Sequence, residues 1–140
     1  APGREALSSY RLRDGVSPVS ELCLVARDIN GIIGGSIRFW PIQIGSDKVR
    51  ALLLGPIAVH PTIQGEGVGG ELIRSSLDLA KKSGWTRIVL IGDEIYYTKF
   101  GFKKSTFLKF PPPTNPNRLL YLELKSDSFN GVIGEIQRAE

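Results

Sequence analysis

The chain has 140 residues, of which 41% are hydrophobic and 23% charged, enough for one domain with its own core and too few for two. The net charge of +4 suits an anionic ligand, but no run of like charges and no interleaving of aromatic with basic residues indicates a nucleic-acid surface. No apolar run approaches the ~20 residues of a membrane span, and the single cysteine, Cys23, cannot form a disulfide within the chain. We therefore expect a cytoplasmic protein that binds neither nucleic acid nor membranes.

The first half of the chain is predicted to be mostly β-structure, after a weakly helical start. The predicted elements are a short helix at residues 4–13, a hairpin of strands 22–27 and 32–44, and a buried strand at 49–61. Asn30 and Gly31 are expected to supply positive φ angles at the hairpin turn. Gly55 and Pro56 interrupt the buried strand and predict a bulge or splay, because proline removes a donor from the strand ladder.

The second half contains the one strong helical pattern. Its apolar positions recur at helical spacing and are Val68, Leu72, Ile73, Ser76, Leu77, Leu79 and Ala80. Downstream come a buried strand at 86–92, a short helix within 93–102, a proline-rich loop at 111–117 and a strand at 118–124; the tail from Ser126 has no clear pattern. The order predicts one mixed α/β domain without internal repeats.

Between strand and helix lies the stretch "HPTIQGEGVGG", in which four of the six residues 65–70 are glycines. A helix N-terminus exposes unpaired N–H groups and a partial positive charge, so it binds anions readily. Glycines let the backbone approach a phosphate closely. The stretch therefore predicts a phosphate-bearing ligand at the start of the helix.

Two common phosphate motifs fit this stretch poorly. A Walker A loop requires lysine after its last glycine, and Glu71 stands there. The dinucleotide fingerprint G-x-G-x-x-G is present at residues 65, 67 and 70, and Asp93 lies near the offset of a ribose-binding acid. However, the fingerprint should follow its strand at once, whereas the apolar strand here stops at Val59 and an antiparallel hairpin precedes it. A nicotinamide-binding oxidoreductase is therefore a minor alternative.

A third interpretation comes from a family resemblance. Residues 64–69 fit the Q/R-x-x-G-x-G/A signature of the GNAT family of N-acetyltransferases, and residues 58–61, "AVHP", are similar to the end of the strand that precedes it. Residues 96–102, "YYTKFGF", resemble that family's second motif, an aromatic residue and a tyrosine followed by Gly-Phe. The resemblance covers about residues 20–125. The second motif resembles that of a bacterial branch of predicted small-molecule acetyltransferases.

The resemblance implies an α/β (α+β) acyl-CoA N-acyltransferase fold with a mixed, mostly antiparallel sheet flanked by helices, and acetyl-CoA as co-substrate. The cofactor-binding residues it implies are Ile57 and Val59 on the strand and Gln64, Gly65, Glu66, Gly67, Val68, Gly69 and Gly70 at the helix start. Lys48, Arg50 and the pair Lys81 and Lys82 are candidates to meet the CoA 3′-phosphate. The family fold has a strand and helices before the hairpin, so we expect residues 1–140 to form a single domain that is incomplete at its N-terminus.

Catalytic roles also follow from the resemblance. Tyr97 matches the family tyrosine that protonates the departing thiolate, while Tyr96 is expected to belong to the core. The acceptor amine must lose a proton, since a free alkyl ammonium has a pKa near ~10.4, and Glu94 and Asp93 are the candidate bases. With His60 as the one histidine, no metal site is expected.

The sequence therefore predicts an N-acetyltransferase that transfers acetyl from acetyl-CoA to a primary amine by direct nucleophilic attack. The acceptor is expected to be a small-molecule or peptide amine, and a homodimer stays open as an assembly. The alternative is a non-catalytic sensor of the same fold that binds acyl-CoA or an acyl carrier.

Overall fold

The computed structural model describes residues 11–63, 67–112 and 114–139. Within these ranges the strands are β1 (Val25–Arg27), β2 (Ile33–Ile44), β3 (Val49–Val59), β4 (Arg87–Ile91), β5 (Lys103–Lys104), β6 (Leu108–Lys109), β7 (Leu119–Glu123) and β8 (Gly134–Arg138). The helices are α1 (Val68–Lys82) and α2 (Glu94–Tyr97), and 3-10 turns lie at Ser20–Leu22, Pro61–Ile63, Thr98–Phe100 and Pro116–Arg118. Residues 11–13 are helical, and the rest of the helix predicted at 4–13 lies outside the described residues.

The strands form one sheet in the order β5-β7-β4-β3-β2-β8-β6, with β1 paired to β2. The pairings are antiparallel except for β3 with β4 and β6 with β8. The mixed, mostly antiparallel sheet predicted from the sequence is thus confirmed. None of the helices in the described ranges combines the length and the apolar character needed to cross a membrane.

The long β2–β3 hairpin contains a bulge at the predicted place. Two residues of β3, Gly55 and Pro56, lie opposite one residue of β2, Arg38, and the Gly55-Pro56 peptide bond is cis. The indole Nε1–H of Trp40 donates to the Gly55 carbonyl at 2.7 Å. Before the bulge, residues 51–54 are all buried. After it, residues 57–59 alternate between half-buried and exposed. The bulge therefore separates a core half of β3 from a half that borders the surface.

The end of β3 also leaves its parallel neighbour. The register pairs Leu52 with Ile88 and Leu53 with Val89, and no further pair joins the two strands. β3 continues to Val59 along β2, whereas β4 ends at Ile91 and gives way to α2. The two parallel strands therefore diverge, and the gap opens towards the start of α1.

The core lies on both faces of the sheet. One face carries α1, which is amphipathic and buries Leu72, Ile73, Ser76, Leu77 and Ala80. Leu79, predicted to belong to the same apolar stripe, is 38% exposed because it lies at the edge of that stripe. On the other face a second cluster is built around Ile42, Val89 and Phe129.

Some local predictions were wrong or incomplete. At the hairpin turn Gly31 has φ +80° but Asn30 does not have a positive φ; its N–H instead donates to the Asp28 carboxylate at 2.8 Å. The tail from Ser126, for which no element was predicted, contains β8, which pairs with β2 and buries only Ile136. A strand with one buried apolar residue has too little alternation to be recognised from sequence.

The packing of α1 on the sheet gives a direct test of the fold. Ile73 is fully buried and Ile29 is 100% exposed. Ile73→Ala should lower the free energy of unfolding by about 2–5 kcal/mol, because it leaves a cavity in the core. The matched variant Ile29→Ala should stay within about 0.5 kcal/mol of the parent in urea unfolding. Equal midpoints for the two variants would contradict this placement of α1.

Candidate functional site

A cavity of about 540 Å³ lies where β3 diverges from β4. Three segments form its walls: the end of β3, the start of α1, and α2 with the 3-10 turn that continues it. The lining side chains and backbone belong to Ile57, Val59, Ile63, Gly67, Val68, Gly69, Gly70, Arg74, Tyr96, Lys99 and Phe100. Much of the lining is therefore backbone and apolar side chain, with two cations added.

The start of α1 supplies unpaired backbone donors to this cavity. Gly67 is the N-cap residue, with φ +81° in the left-handed region and no side-chain cap. The first helical hydrogen bond runs from the Glu71 N–H to the Gly67 carbonyl at 3.0 Å. The amides of residues 68–70 precede that bond and have no carbonyl partner within the helix. They give the cavity the donor set that an anion requires.

Aromatic rings close over the helix start from the α2 side. A Cβ added at Gly69 would lie 3.4 Å from the Tyr96 hydroxyl, and one added at Gly70 would lie 3.1 Å from Nη1 of Arg74. The Tyr96 and Phe100 rings meet edge to face at 5.5 Å. The glycine backbone and the rings therefore shape a narrow space beside the first turn of α1.

Two cations lie against the rings of this aromatic pair. The Lys99 ammonium is 4.7 Å from the Tyr96 ring centroid, and the Arg74 guanidinium is 5.2 Å from that of Phe100. No aspartate or glutamate occurs among the described residues that line the cavity. Together with the partial positive charge of the helix start, these groups make the cavity attractive to phosphates.

Tyr97 lies next to this cavity but is not one of its lining residues. Its ring is 5.0 Å from Tyr96 and 5.9 Å from Phe102, and a Cβ added at Gly92 would lie 2.5 Å from its Cε2. Burial raises the pKa of the Tyr97 phenol, the neighbouring Tyr96 hydroxyl and the Asp93 carboxylate add to the rise, and the Arg118 guanidinium opposes it. The phenol therefore keeps its proton at neutral pH.

Residues 19–104 match the family model described as an acetyltransferase (GNAT) domain. The chain belongs to the GNAT family. The Escherichia coli K12 protein named uncharacterized N-acetyltransferase YhbS is 28% identical over 121 residues, which cover 85% of this chain and 72% of that protein.

Solved structures agree with this assignment. The crystal structure of the GNAT protein YhbS from Escherichia coli in complex with CoA has a TM-score of 0.81 and 29% identity, covering 97% of this chain and 76% of that one. A GNAT acetyltransferase from Brucella melitensis in complex with acetyl-CoA has a TM-score of 0.66 and 33% identity, covering 84% of this chain and 65% of that one. The GNAT fold predicted from the two motifs is confirmed.

Six residues predicted to bind the cofactor lie together around the cavity of this GNAT domain: Ile57, Val59, Gly67, Val68, Gly69 and Gly70. Gln64, Gly65 and Glu66, predicted for the same role, lie outside the described residues. The structure thus assembles both the strand and the helix portions of the predicted set. Their binding role stays a prediction.

The predicted acid-base residues lie at the end of β4. Asp93 is the N-cap of α2, and its carboxylate accepts from the Ile95 N–H at 3.1 Å. Glu94 is exposed and is not a lining residue of the cavity. Tyr96, expected to be a core residue, both packs against the core and lines the cavity. The roles of Glu94 and Tyr97 stay predictions.

The cations at the cavity were missed from the sequence. The basic residues proposed for the 3′-phosphate lie elsewhere: Arg50 stacks on Trp85 at 4.0 Å, and Lys82 pairs with Asp78 at 2.8 Å. Lys82 ends a 15-residue helix, about 20 Å from the cavity end. Arg74 was recognisable in principle, because it follows Gly70 by four residues and so lies on the same side of the helix.

The two glycines at the start of α1 should respond oppositely to substitution. Gly67→Ala should lower the free energy of unfolding by about 1–2 kcal/mol, because alanine is strained at φ +81°. Gly69→Ala should raise it by about 0.5–1 kcal/mol, since Gly69 is helical and its added Cβ meets ordinary contact distances. Urea unfolding of both variants checks the pair, and effects of the same sign would contradict the described start of the helix.

Proposed function

We propose that this GNAT-family chain is an acetyl-CoA-dependent N-acetyltransferase that acts on a primary amine by direct attack. The observation that carries the proposal is the cavity where a diverging strand, an uncapped helix start and two cations meet. Relatives with 29% and 33% identity hold CoA and acetyl-CoA in their crystal structures, which supports the same co-substrate here.

The described residues fit that co-substrate. The amides of residues 68–70 suit a diphosphate, because they are unpaired within the helix and no side chain caps them. The end of β3 at Ile57 and Val59, beyond the register with β4, suits the amides of a pantetheine arm. Bound acetyl-CoA supplies a thioester whose carbonyl a neutral amine can attack.

Proton transfer falls to residues at the end of β4. Tyr97 is proposed to donate its hydroxyl proton to the leaving sulfur, and its raised pKa keeps that proton available. Glu94 is proposed to accept the proton of the amine, directly or through water. The fold alone does not fix the substrate, so the acceptor is proposed only as a class, a small-molecule or peptide amine.

One observation favours a second candidate, a non-catalytic sensor that binds acyl-CoA or an acyl carrier. Neither Tyr97 nor Glu94 lines the cavity. A sensor needs the helix start and the end of β3 but no acid-base pair. Ligand binding and thiol release separate the two candidates.

Thermal unfolding with acetyl-CoA, CoA and NADH in parallel tests the ligand. At one hundred times its Kd, a ligand should stabilise the native state by about 2.7 kcal/mol. We expect the unfolding temperature to rise with acetyl-CoA and with CoA and to stay constant with NADH, and thiol release to require an added amine. A rise with NADH alone, or with none of the three, would contradict the proposal. Stabilisation without thiol release across an amine panel would favour the sensor.

Tyr97→Phe tests the acid role. If the Tyr97 hydroxyl protonates the leaving sulfur, turnover should fall about 10²-fold while CoA affinity stays nearly constant. Tyr121→Phe is the matched control, because Tyr121 packs in the core cluster on the other face of the sheet. Steady-state kinetics of the two variants and calorimetric CoA affinity provide the comparison. Unchanged turnover in Tyr97→Phe would remove the catalytic role.

The raised pKa of Tyr97 also predicts a pH dependence. The folded phenol ionises at higher pH than the unfolded one, so the protonated form is the one favoured by folding. This contribution to stability is complete below pH ~10 and is lost as the pH rises through the folded pKa. The parent should therefore lose more stability than Tyr97→Phe on alkaline titration above pH ~10, as followed by urea unfolding. A parallel pH dependence of the two proteins would contradict the burial of the phenol.

A further inference from the structure

Arg74 and Lys99 are the two charged side chains of the cavity wall that the proposed chemistry does not use. They come from different segments, α1 and the 3-10 turn after α2, yet both line the same cavity. Arg74 lies one turn beyond the glycine start, and its Nη1 folds back to within 3.1 Å of the Cβ position of Gly70. The guanidinium therefore borders the first turn of the helix.

Both cations are held in place by aromatic rings. The Arg74 guanidinium is 5.2 Å from the Phe100 centroid, and the Lys99 ammonium is 4.7 Å from that of Tyr96. Such stacking limits the side-chain freedom that binding would otherwise remove and leaves the N–H groups at the ring edge available to a ligand. Because the described lining residues include no carboxylate, the two charges are not neutralised within the cavity wall.

The order of groups along the cavity indicates which phosphate they meet. Along the first turn of α1, the Cβ position of Gly69 lies 3.6 Å from Cγ2 of Val59 and that of Gly70 lies 3.1 Å from Nη1 of Arg74, so the helix-start amides lie between the end of β3 and Arg74. CoA has the same order of chemistry: thiol and pantetheine arm, then diphosphate, then a ribose bearing a 3′-phosphate. If the helix amides hold the diphosphate, the next anionic group arrives at the two cations.

We propose that Arg74 and Lys99 form a second phosphate subsite that takes the ribose 3′-phosphate and makes this chain select CoA over dephospho-CoA. The proposal rests on the proposed function, since it needs CoA in the cavity. Arg74 is the principal residue, because its planar guanidinium can donate two parallel hydrogen bonds to one phosphate. Lys99 contributes a single point charge from the opposite segment.

The test is a thermodynamic cycle with two ligands. Calorimetric affinities for CoA and for dephospho-CoA are measured for the parent, Arg74→Gln, Lys99→Gln and the control Lys109→Gln. Lys109 is exposed on β6, at the edge of the sheet, and is not a lining residue of the cavity. The parent should bind CoA at least about tenfold more tightly than dephospho-CoA, the range expected for charge-assisted hydrogen bonds.

Arg74→Gln should weaken CoA binding about tenfold and leave dephospho-CoA binding nearly unchanged, so that the preference disappears. Lys99→Gln should reduce the preference by a smaller factor, and Lys109→Gln should keep it. Raising the salt concentration should reduce the preference of the parent more than that of Arg74→Gln. Thermal unfolding without ligand confirms that each variant is folded.

The measurements distinguish a failure of the 3′-phosphate subsite from a failure of the proposed function. Equal affinity of the parent for the two ligands would overturn the 3′-phosphate subsite while leaving CoA binding intact. An equal loss for both ligands in Arg74→Gln would also overturn it, because the guanidinium would then be contacting the diphosphate. Absence of binding of either ligand to the folded parent would overturn the proposed function, and the subsite with it.

Discussion

The parting of β3 from β4 is the constraint on which the site depends. The two strands share only the pairs Leu52–Ile88 and Leu53–Val89, and the bulge at Gly55 and Pro56 follows directly. Had the parallel register continued, a neighbouring strand would fill the space beside Ile57 and Val59. The cavity therefore lies where the pairing of β3 with β4 stops, just before the bulge.

Two parts of α1, the helix that borders the gap, have different roles. Its buried stripe, centred on Ile73, anchors it to the sheet, and its first turn presents backbone amides to the cavity. The anchor acts mainly through apolar burial, whereas the amides act through a partial charge that salt screens. Because the stripe sets the helix against β2 and β3, the donors are positioned by the core rather than by a loop.

Much of this arrangement could be predicted from residues alone. The hairpin, the central strand and its bulge, and the helix after the glycines follow from alternation, proline chemistry and helical spacing, and the two motifs together indicated the fold. What could not be predicted depends on distant contacts. The approach of Lys99 to Tyr96 and of Arg74 to Phe100 requires knowing how α2 lies against α1. The short strand β8 was missed because its pairing with β2, rather than its own composition, makes it a strand.

The cavity wall combines backbone groups with exposed side chains, and the two differ in how they respond to substitution. The helix-start amides belong to the backbone, so they are common to any sequence that keeps Gly67 in its left-handed conformation. Arg74 and Lys99 are exposed side chains on the mouth, where replacement disturbs no buried contact of the core. Under the proposed assignment, substitution of these two exposed side chains changes which form of the cofactor binds, while the backbone amides proposed for the diphosphate are kept.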